Sequence, residues 1–457
     1  MSFKKILLLA LMLGSALTIL RTQEQSPKIR TNGSDDFIVR PIPGEVIILA
    51  AADVQPASAE KSGELAEAIK TFNQVLWDDL SFSGFFTMAG KSFYPPYPIV
   101  RAEDIKYEDW SALPFKVTYL TAGTLDLNGG VLRAELRIFD MKQHVMSFGQ
   151  RIGGDTDQVR AVAHRWADEI VYRLTAGTSM GIARTKIAYS SRRGNAKEIY
   201  VMDYDGYNQQ AFTHNGSNNL FPNWGAENSH LAFVSFRTGK PEINIYSYKD
   251  GSRVAFPMFN TFASTPAISP DGARVVFSLR TPRGDADLFV SNLDGSDRRN
   301  ITNNPAIDTS PTWAPSGRQI AFASDRAGGS SQIFICDSDG SNVQRIMKEG
   351  GDADSPAWSP DGKWLAFHWK PHLSTNYDIY IAEIGSGKIR QLTNSGGSDE
   401  SPAWSPDGRH IAFQSNRNGT PQIYIMLLDG SQLRMITSQG SNTSPAWGGY
   451  FRRESDN

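Results

Sequence analysis

From Thr185 to Trp447 the chain repeats one order of apolar and polar positions. Each unit holds an apolar run of three: Ile187-Ala-Tyr189, Leu231-Ala-Phe233, Val275-Val-Phe277, Ile320-Ala-Phe322, Leu365-Ala-Phe367 and Ile411-Ala-Phe413. A polar loop follows, then an apolar pair: Ile199-Tyr200, Ile245-Tyr246, Leu288-Phe289, Ile333-Phe334, Ile379-Tyr380 or Ile423-Tyr424. Most units continue with an Asp-Gly turn, as at Asp294-Gly295 and Asp429-Gly430, and several then read Ile301-Thr302, Leu392-Thr393 or Ile436-Thr437. A Pro-x-Trp run or its variant opens the next unit: Phe221-Pro-Asn-Trp224, Thr265-Pro-Ala-Ile268, Ser310-Pro-Thr-Trp313, Ser355-Pro-Ala-Trp358, Ser401-Pro-Ala-Trp404 and Ser444-Pro-Ala-Trp447. Apolar runs this short, cut by Gly, Pro and Asp about every eight to twelve residues, predict strands joined by tight turns. No repeat carries a 3.6-residue period, so helix is excluded there.

The prolines stand at 222, 266, 311, 356, 402 and 445, giving steps of 44, 45, 45, 46 and 43 residues. Four short antiparallel strands in about 45 residues form a propeller blade, which buries its faces only by stacking on its neighbours. The recurring Trp and Phe then fill the wedge between blades. The first unit starts at Thr185 without a Pro-x-Trp strand, and the last Pro-x-Trp has no further strands after it. These halves complement each other. The expected fold is a small α+β N-terminal domain followed by an all-β six-bladed β-propeller of WD40-like (PD40) repeats, closed by the C-terminal strand.

Ahead of the repeats the pattern is mixed. Leu65, Ile69, Phe72 and Leu76 share one face of a helix expected over 60–80, and Val159, Val162, Trp166, Ile170 and Leu174 share one over 156–174. Strands are expected over 45–50, 115–127, 131–141 and 145–152, with Asn128-Gly129-Gly130 as a hairpin turn. Two helices on one face of such a sheet make a small α/β sandwich. The start, Met1-Ser-Phe-Lys-Lys5 followed by apolar Ile6 to Leu20, reads as a cleaved signal peptide. The organisation is therefore 1–21 signal peptide, 22–44 flexible segment, 45–178 α/β domain and 179–457 propeller, an exported chain that does not span a membrane.

Formal net charge is −2, with no basic stripe, so nucleic acid is not an expected partner. Catalytic chemistry is not expected either. Gly177-Thr-Ser-Met-Gly181 has the spacing of a nucleophile elbow, but that motif needs a strand before the Ser and a helix after it, the reverse of the order here. His368 and His372 have no accompanying carboxylate pattern, and Asp203-Tyr-Asp-Gly206 and Asp337-Ser-Asp-Gly340 read as turns. The lone cysteine, Cys336, reads as a buried small hydrophobe. No metal, cofactor or catalytic residue is predicted. The competing functional readings are the propeller module of a peptidase and a sugar-binding or lyase propeller.

With an N-terminal signal, an α/β domain containing Trp110-x-x-Leu-Pro-Phe-Lys-Val-Thr-Tyr-Leu-Thr-Ala-Gly123 and Leu136-Arg-Ile-Phe-Asp140, and then six Ser-Pro-x-Trp-type repeats, the chain resembles the TolB family of the Tol–Pal envelope system. The resemblance implies a non-enzymatic periplasmic scaffold serving envelope integrity and constriction in cell division. It implies docking of the Pal lipoprotein at the propeller mouth and of inner-membrane TolA through the N-terminal segment. Here Pro27, Lys28, Ile29 and Arg30 retain only a trace of the TolA-engaging strand. The mouth is expected to be lined by the loops entering the innermost strands: Asn218, Asn219, Phe262, Thr265, Asp308, Thr309, Asp352, Asp354, Asp399, Glu400 and Asn442. Their acidic excess predicts an electronegative rim suited to a partner with exposed Lys or Arg. A monomer is expected.

Overall fold

The computed structural model describes residues 46–57, 62–155 and 158–450. The signal peptide and the Pro27 to Arg30 stretch lie outside the described residues. The N-terminal sheet has the order β3 (Thr87–Met88), β1 (Ile48–Ala51), β4 (Tyr119–Asn128), β5 (Val131–Asp140), β6 (Val145–Asp155), with β2 (Gln55–Pro56) also paired to β4. β1 runs parallel to β3 and β4, while β4, β5 and β6 form an antiparallel meander. Helices α1 (Gly63–Phe82) and α3 (Val159–Leu174) cover one face, burying Phe72, Leu76, Trp166 and Ile170 against Leu136 and Ile138. The Ser62 side chain caps α1 by accepting from the N–H of Leu65 at 3.1 Å.

The opposite face is covered too, which the sequence did not predict. Short helix α2 (Tyr107–Ser111) and the loops around it place Trp110, Ile99, Ile105 and Val117 over Leu120 and Phe139. Trp110 falls in a helix of only five residues. Such a helix shows no usable apolar period.

The repeats form six sheets. The first blade has the order Ser441–Trp447, Lys186–Arg192, Lys197–Asp203, Gln210–Ala211, so the C-terminal strand lies innermost beside the first strand of the repeats. Ala446 pairs with Ala188 and Trp447 with Ile187. Closure removes the two edges that an open ring would expose.

Where a fourth strand forms, it is two or three residues long, and in four of these five blades the apolar-Thr signature helps to hold it; Gln344–Arg345, followed by Ile346-Met347, forms without the Thr. The hydroxyl oxygens of Thr213, Thr302, Thr393 and Thr437 accept from the N–H of Ile199, Leu288, Ile379 and Ile423 at 2.8–2.9 Å. A side chain thus replaces a ladder bond in a strand too short to make many. The second blade departs from the expectation of four strands. Its sheet has three (Asn219–Trp224, His230–Ser235, Glu242–Ser247), with Tyr246 and Arg253 as an isolated bridge. Pro257 follows soon after and has no N–H to donate to a ladder.

Candidate partner-binding mouth of the propeller

Strand direction divides the propeller into two ends. In each blade the innermost strand runs from the entering loop down to the Ser-Pro-Asp-Gly-type turn. The second strand climbs back, and the third descends to the Asp-Gly-type turn. All the named contacts with the α/β domain fall at the descending end. The Phe82 carbonyl meets Nε2 of His410 at 2.7 Å, the Ser81 carbonyl accepts from Gln432 at 2.7 Å, and Gly84 accepts from Arg409. The entering loops therefore sit at the end away from these contacts.

Each innermost strand carries the same distortion. Phe221, Thr265, Ser310, Ser355, Ser401 and Ser444 all have φ between 47° and 55°, each immediately before the recurring proline. The strand register shifts across this residue and the proline in every blade. A non-glycine residue in the left-handed region is strained, and the following proline adds to the restriction. The six bulges bring the proline rings and these side chains together around a central cavity of about 530 Å³.

The predicted mouth residues separate into two sets. Asn219, Asp308 and Asp399 open their strands, Asn442 is second in its own, and all four are wholly buried. They are not rim charges. Asp308 accepts from Arg326 at 2.8 Å and from Asn304 at 2.8 Å, and Arg417 grips both oxygens of Asp399 at 3.0 and 2.9 Å. Asn219 and Asn442 make the same kind of loop-to-strand ties, to Asn215 and Ser217 and to Gln422 and Gln439. A carboxylate in this position costs too much to bury unless a cation sits on it, and the Ser-x-Arg sequence after the second strand supplies that cation.

The second set faces outward. Phe262 and Asn218 are exposed, and Thr265, Thr309, Asp352, Asp354 and Glu400 are half-buried. Among the described residues, no Lys or Arg forms an ion pair with Asp352, Asp354 or Glu400. Asp352 accepts from the Tyr377 hydroxyl, Glu400 accepts from Gln414 at 3.1 Å, and Asp354 is bonded by Ser355. His368, opposite Asp354 in the ladder, is buried beside them and accepts from the Ser401 N–H through Nδ1 at 3.3 Å. Burial holds its proton affinity below the ordinary histidine value, although the three carboxylates oppose this. One sector of the mouth, in the fifth and sixth blades, thus gathers three carboxylates without an ion pair among the described residues, and the cation beside it, Lys370 opposite Asp352, packs over the Tyr377 ring at 4.7 Å.

A family model described as the TolB beta propeller domain matches residues 172–370 and 348–450. The chain belongs to the TolB family. The Tol-Pal system protein TolB of Anaeromyxobacter sp. strain K is 31% identical over 313 residues, covering 68% of this chain and 67% of that protein. Its counterpart from Desulfosudis oleivorans is 32% identical over 239 residues, covering 52% of this chain and 53% of that protein. The match thus spans little more than half the length of that relative. The crystal structure of TolB from Acinetobacter baumannii superposes with a TM-score of 0.75 at 25% identity, covering 89% of this chain and 98% of that one.

Within this TolB-type frame, several features singled out in the sequence are structural. Ser179 is buried between α3 and a propeller strand, its N–H donated to the Thr175 hydroxyl at 3.2 Å. Asp339 accepts from the N–H and hydroxyl of Ser341, which is turn chemistry. Cys336 is fully buried, and burial pushes its thiol up to about 12. Among the described residues, no three His, Cys or carboxylate donor atoms lie close enough together at His368 and His372 to share a metal ion. No helix of the described residues is long and apolar enough to cross a membrane.

The sequence reading missed the apolar part of the mouth. Ile307 and Leu373, in loops at the entering end, are exposed along with Phe262. The available signal was an apolar residue alone in a polar loop, as in Ala306-Ile307-Asp308, where no core position needs it.

Proposed function

We propose that this chain is a non-enzymatic Tol–Pal scaffold of the periplasm, which docks a Pal-like lipoprotein at the propeller mouth and a TolA-like inner-membrane protein through the segment containing Pro27, Lys28, Ile29 and Arg30. Its role on this reading is to support outer-membrane integrity and constriction during division. The observation that carries it is the mouth itself. Asp352, Asp354 and Glu400, without an ion pair among the described residues, lie at the same end as exposed Phe262, Ile307 and Leu373, away from the contacts with the α/β domain. Apolar anchors bury area in a protein–protein contact, while unpaired charge selects the partner and speeds its arrival. The family membership supplies the identity of the partners.

The test is a pull-down from envelope extract using the mature chain, the chain lacking residues 22–35, and the Asp354→Lys/Glu400→Lys variant. The reading requires the lipoprotein to be lost with the charge variant and the inner-membrane partner to be lost with the truncation. Retention of both partners by both variants refutes it.

A further inference from the structure

We propose that His164 is a proton-operated latch between the α/β domain and the propeller: its cationic form balances two buried carboxylates across the junction, and its neutral form loosens the docking. His164 sits on α3 and is 4% exposed. Its Nδ1 lies 2.7 Å from Oδ2 of Asp79 on α1. The other Asp79 oxygen accepts from the hydroxyl of Tyr204 at 2.6 Å, and Tyr204 belongs to the propeller turn that follows Lys197–Asp203. The far ring nitrogen, Nε2, is buried, has no hydrogen-bond partner, and lies 3.7 Å from Oδ2 of Asp205 in the same turn. Arg160, one turn earlier on α3, is ion-paired to Asp205 and lies 3.4 Å over the Tyr207 ring.

Charge counting decides the sign. Asp79 and Asp205 bring two negative charges and Arg160 one positive, so the cluster is neutral only when His164 carries a proton. With Nδ1–H held by Asp79, an unprotonated Nε2 turns its lone pair toward the Asp205 carboxylate. Protonation converts that repulsion into an N–H pointing at an anion. The other charges near the site do not alter the count. Asp168 on α3 is paired with Arg184 at 2.9 Å, and Arg434 of the sixth blade lies over the Phe82 ring at 4.3 Å.

Burial works against the charged ring, but Asp79 and then Asp205 outweigh it, against Arg160, and His164 is raised to about 8. A folded value above the ordinary 6.5 means stabilisation that is complete below pH ~6.5 and lost as pH rises through about 8. Asp79 and His164 belong to the same domain, so only the Asp205 part of that rise is lost when the propeller turn moves away, and the docked-to-undocked ratio falls by less than the full shift would give. The Gln432 amide on Ser81 and the Arg409 guanidinium on Gly84 tether the domains whatever the state of His164; His410, whose Nε2 meets the Phe82 carbonyl, is the other histidine at this junction, and the His164→Gln variant separates the two.

The test is amide hydrogen exchange of the mature chain from pH 6 to 9, corrected for intrinsic rates and read at α3 and at residues 203–207. The expected result is exchange that accelerates severalfold with a midpoint near pH 8. His164→Gln should exchange fast at every pH. Asp205→Asn, which leaves the cluster neutral without the His164 proton, should move the midpoint down. A flat profile in the unaltered chain, or the same midpoint in His164→Gln, overturns the proposal. Both outcomes are independent of partner capture.

Discussion

The indole N–H of Trp224 donates to the carbonyl of Ala446 at 3.1 Å, joining residues 222 positions apart. The bond crosses from the second blade to the strand that completes the first. It is the seam's version of a repeating contact, in which Trp313 donates to Ala267 at 3.0 Å and Trp404 to Ala357 at 2.9 Å. Trp447 instead donates to the Thr185 hydroxyl at 2.9 Å, because the chain leaves the α/β domain there. Trp224, Trp313 and Trp404 therefore both fill the wedge and bond to the previous blade, whereas the buried indole N–H of Trp358 has no hydrogen-bond partner.

Deleting residues 441–457 removes that strand and the acceptor at Ala446. The inner edge of Lys186–Arg192 is then unpaired, and cooperative unfolding should give way to an early, broad transition. Trp447→Ala should cost ~3–5 kcal/mol in urea denaturation, from the cavity it leaves. An unchanged melting temperature in the truncated chain would show that closure is not structural.

Removing the cation from a buried pair should separate the strand-opening carboxylates from the rim residues. Arg326→Ala and Arg417→Ala leave Asp308 and Asp399 buried and unpaired, and each should lose ~3–5 kcal/mol. Asp354→Asn and Glu400→Gln, at half-buried positions without an ion pair, should stay within about 0.5 kcal/mol. Equal losses in the two sets would contradict the division drawn here.

Charge reversal at the rim should act on binding alone. Asp354→Lys combined with Glu400→Lys is expected to weaken capture of the lipoprotein at least tenfold, chiefly through slower association, with the salt dependence flattened. Surface plasmon resonance at two ionic strengths reads both. Reversal of Asp308 is a poor test, because it disrupts the blade first.

The left-handed residues ahead of the prolines store strain, and Gly should relieve it. Thr265→Gly should be stabilising by up to about 1 kcal/mol, because its β-branched side chain fits φ 47° poorly. Ser355→Val should be destabilising for the same reason. Denaturant midpoints that move the other way would show that the side chains, not the backbone, dominate at the bulge.

Cys336 should not react with a thiol reagent at pH 8. Its thiol is buried and held up near 12, so it stays protonated until the blade opens. Labelling should become complete within the denaturing transition and not before it.

The period of the prolines, the Asp-Gly turns and the missing first strand were enough to specify six blades and their closure, because each depends on local turn chemistry and a count. The helices of the α/β domain were legible for a similar reason: Phe72 and Leu76, or Trp166 and Ile170, recur at helical spacing. The far face of that sheet was not legible, since α2 is too short to show a period. Nor could the sequence distinguish Asp308 from Asp354. Both are acidic residues in entering loops, and only the folded blade puts Arg326 on the first and nothing cationic on the second. The proximity of Asp79, His164 and Asp205, drawn from α1, α3 and a propeller turn, is likewise a product of tertiary packing. Local order is written in spacing, whereas the pairing of a charge depends on which distant element the fold sets beside it.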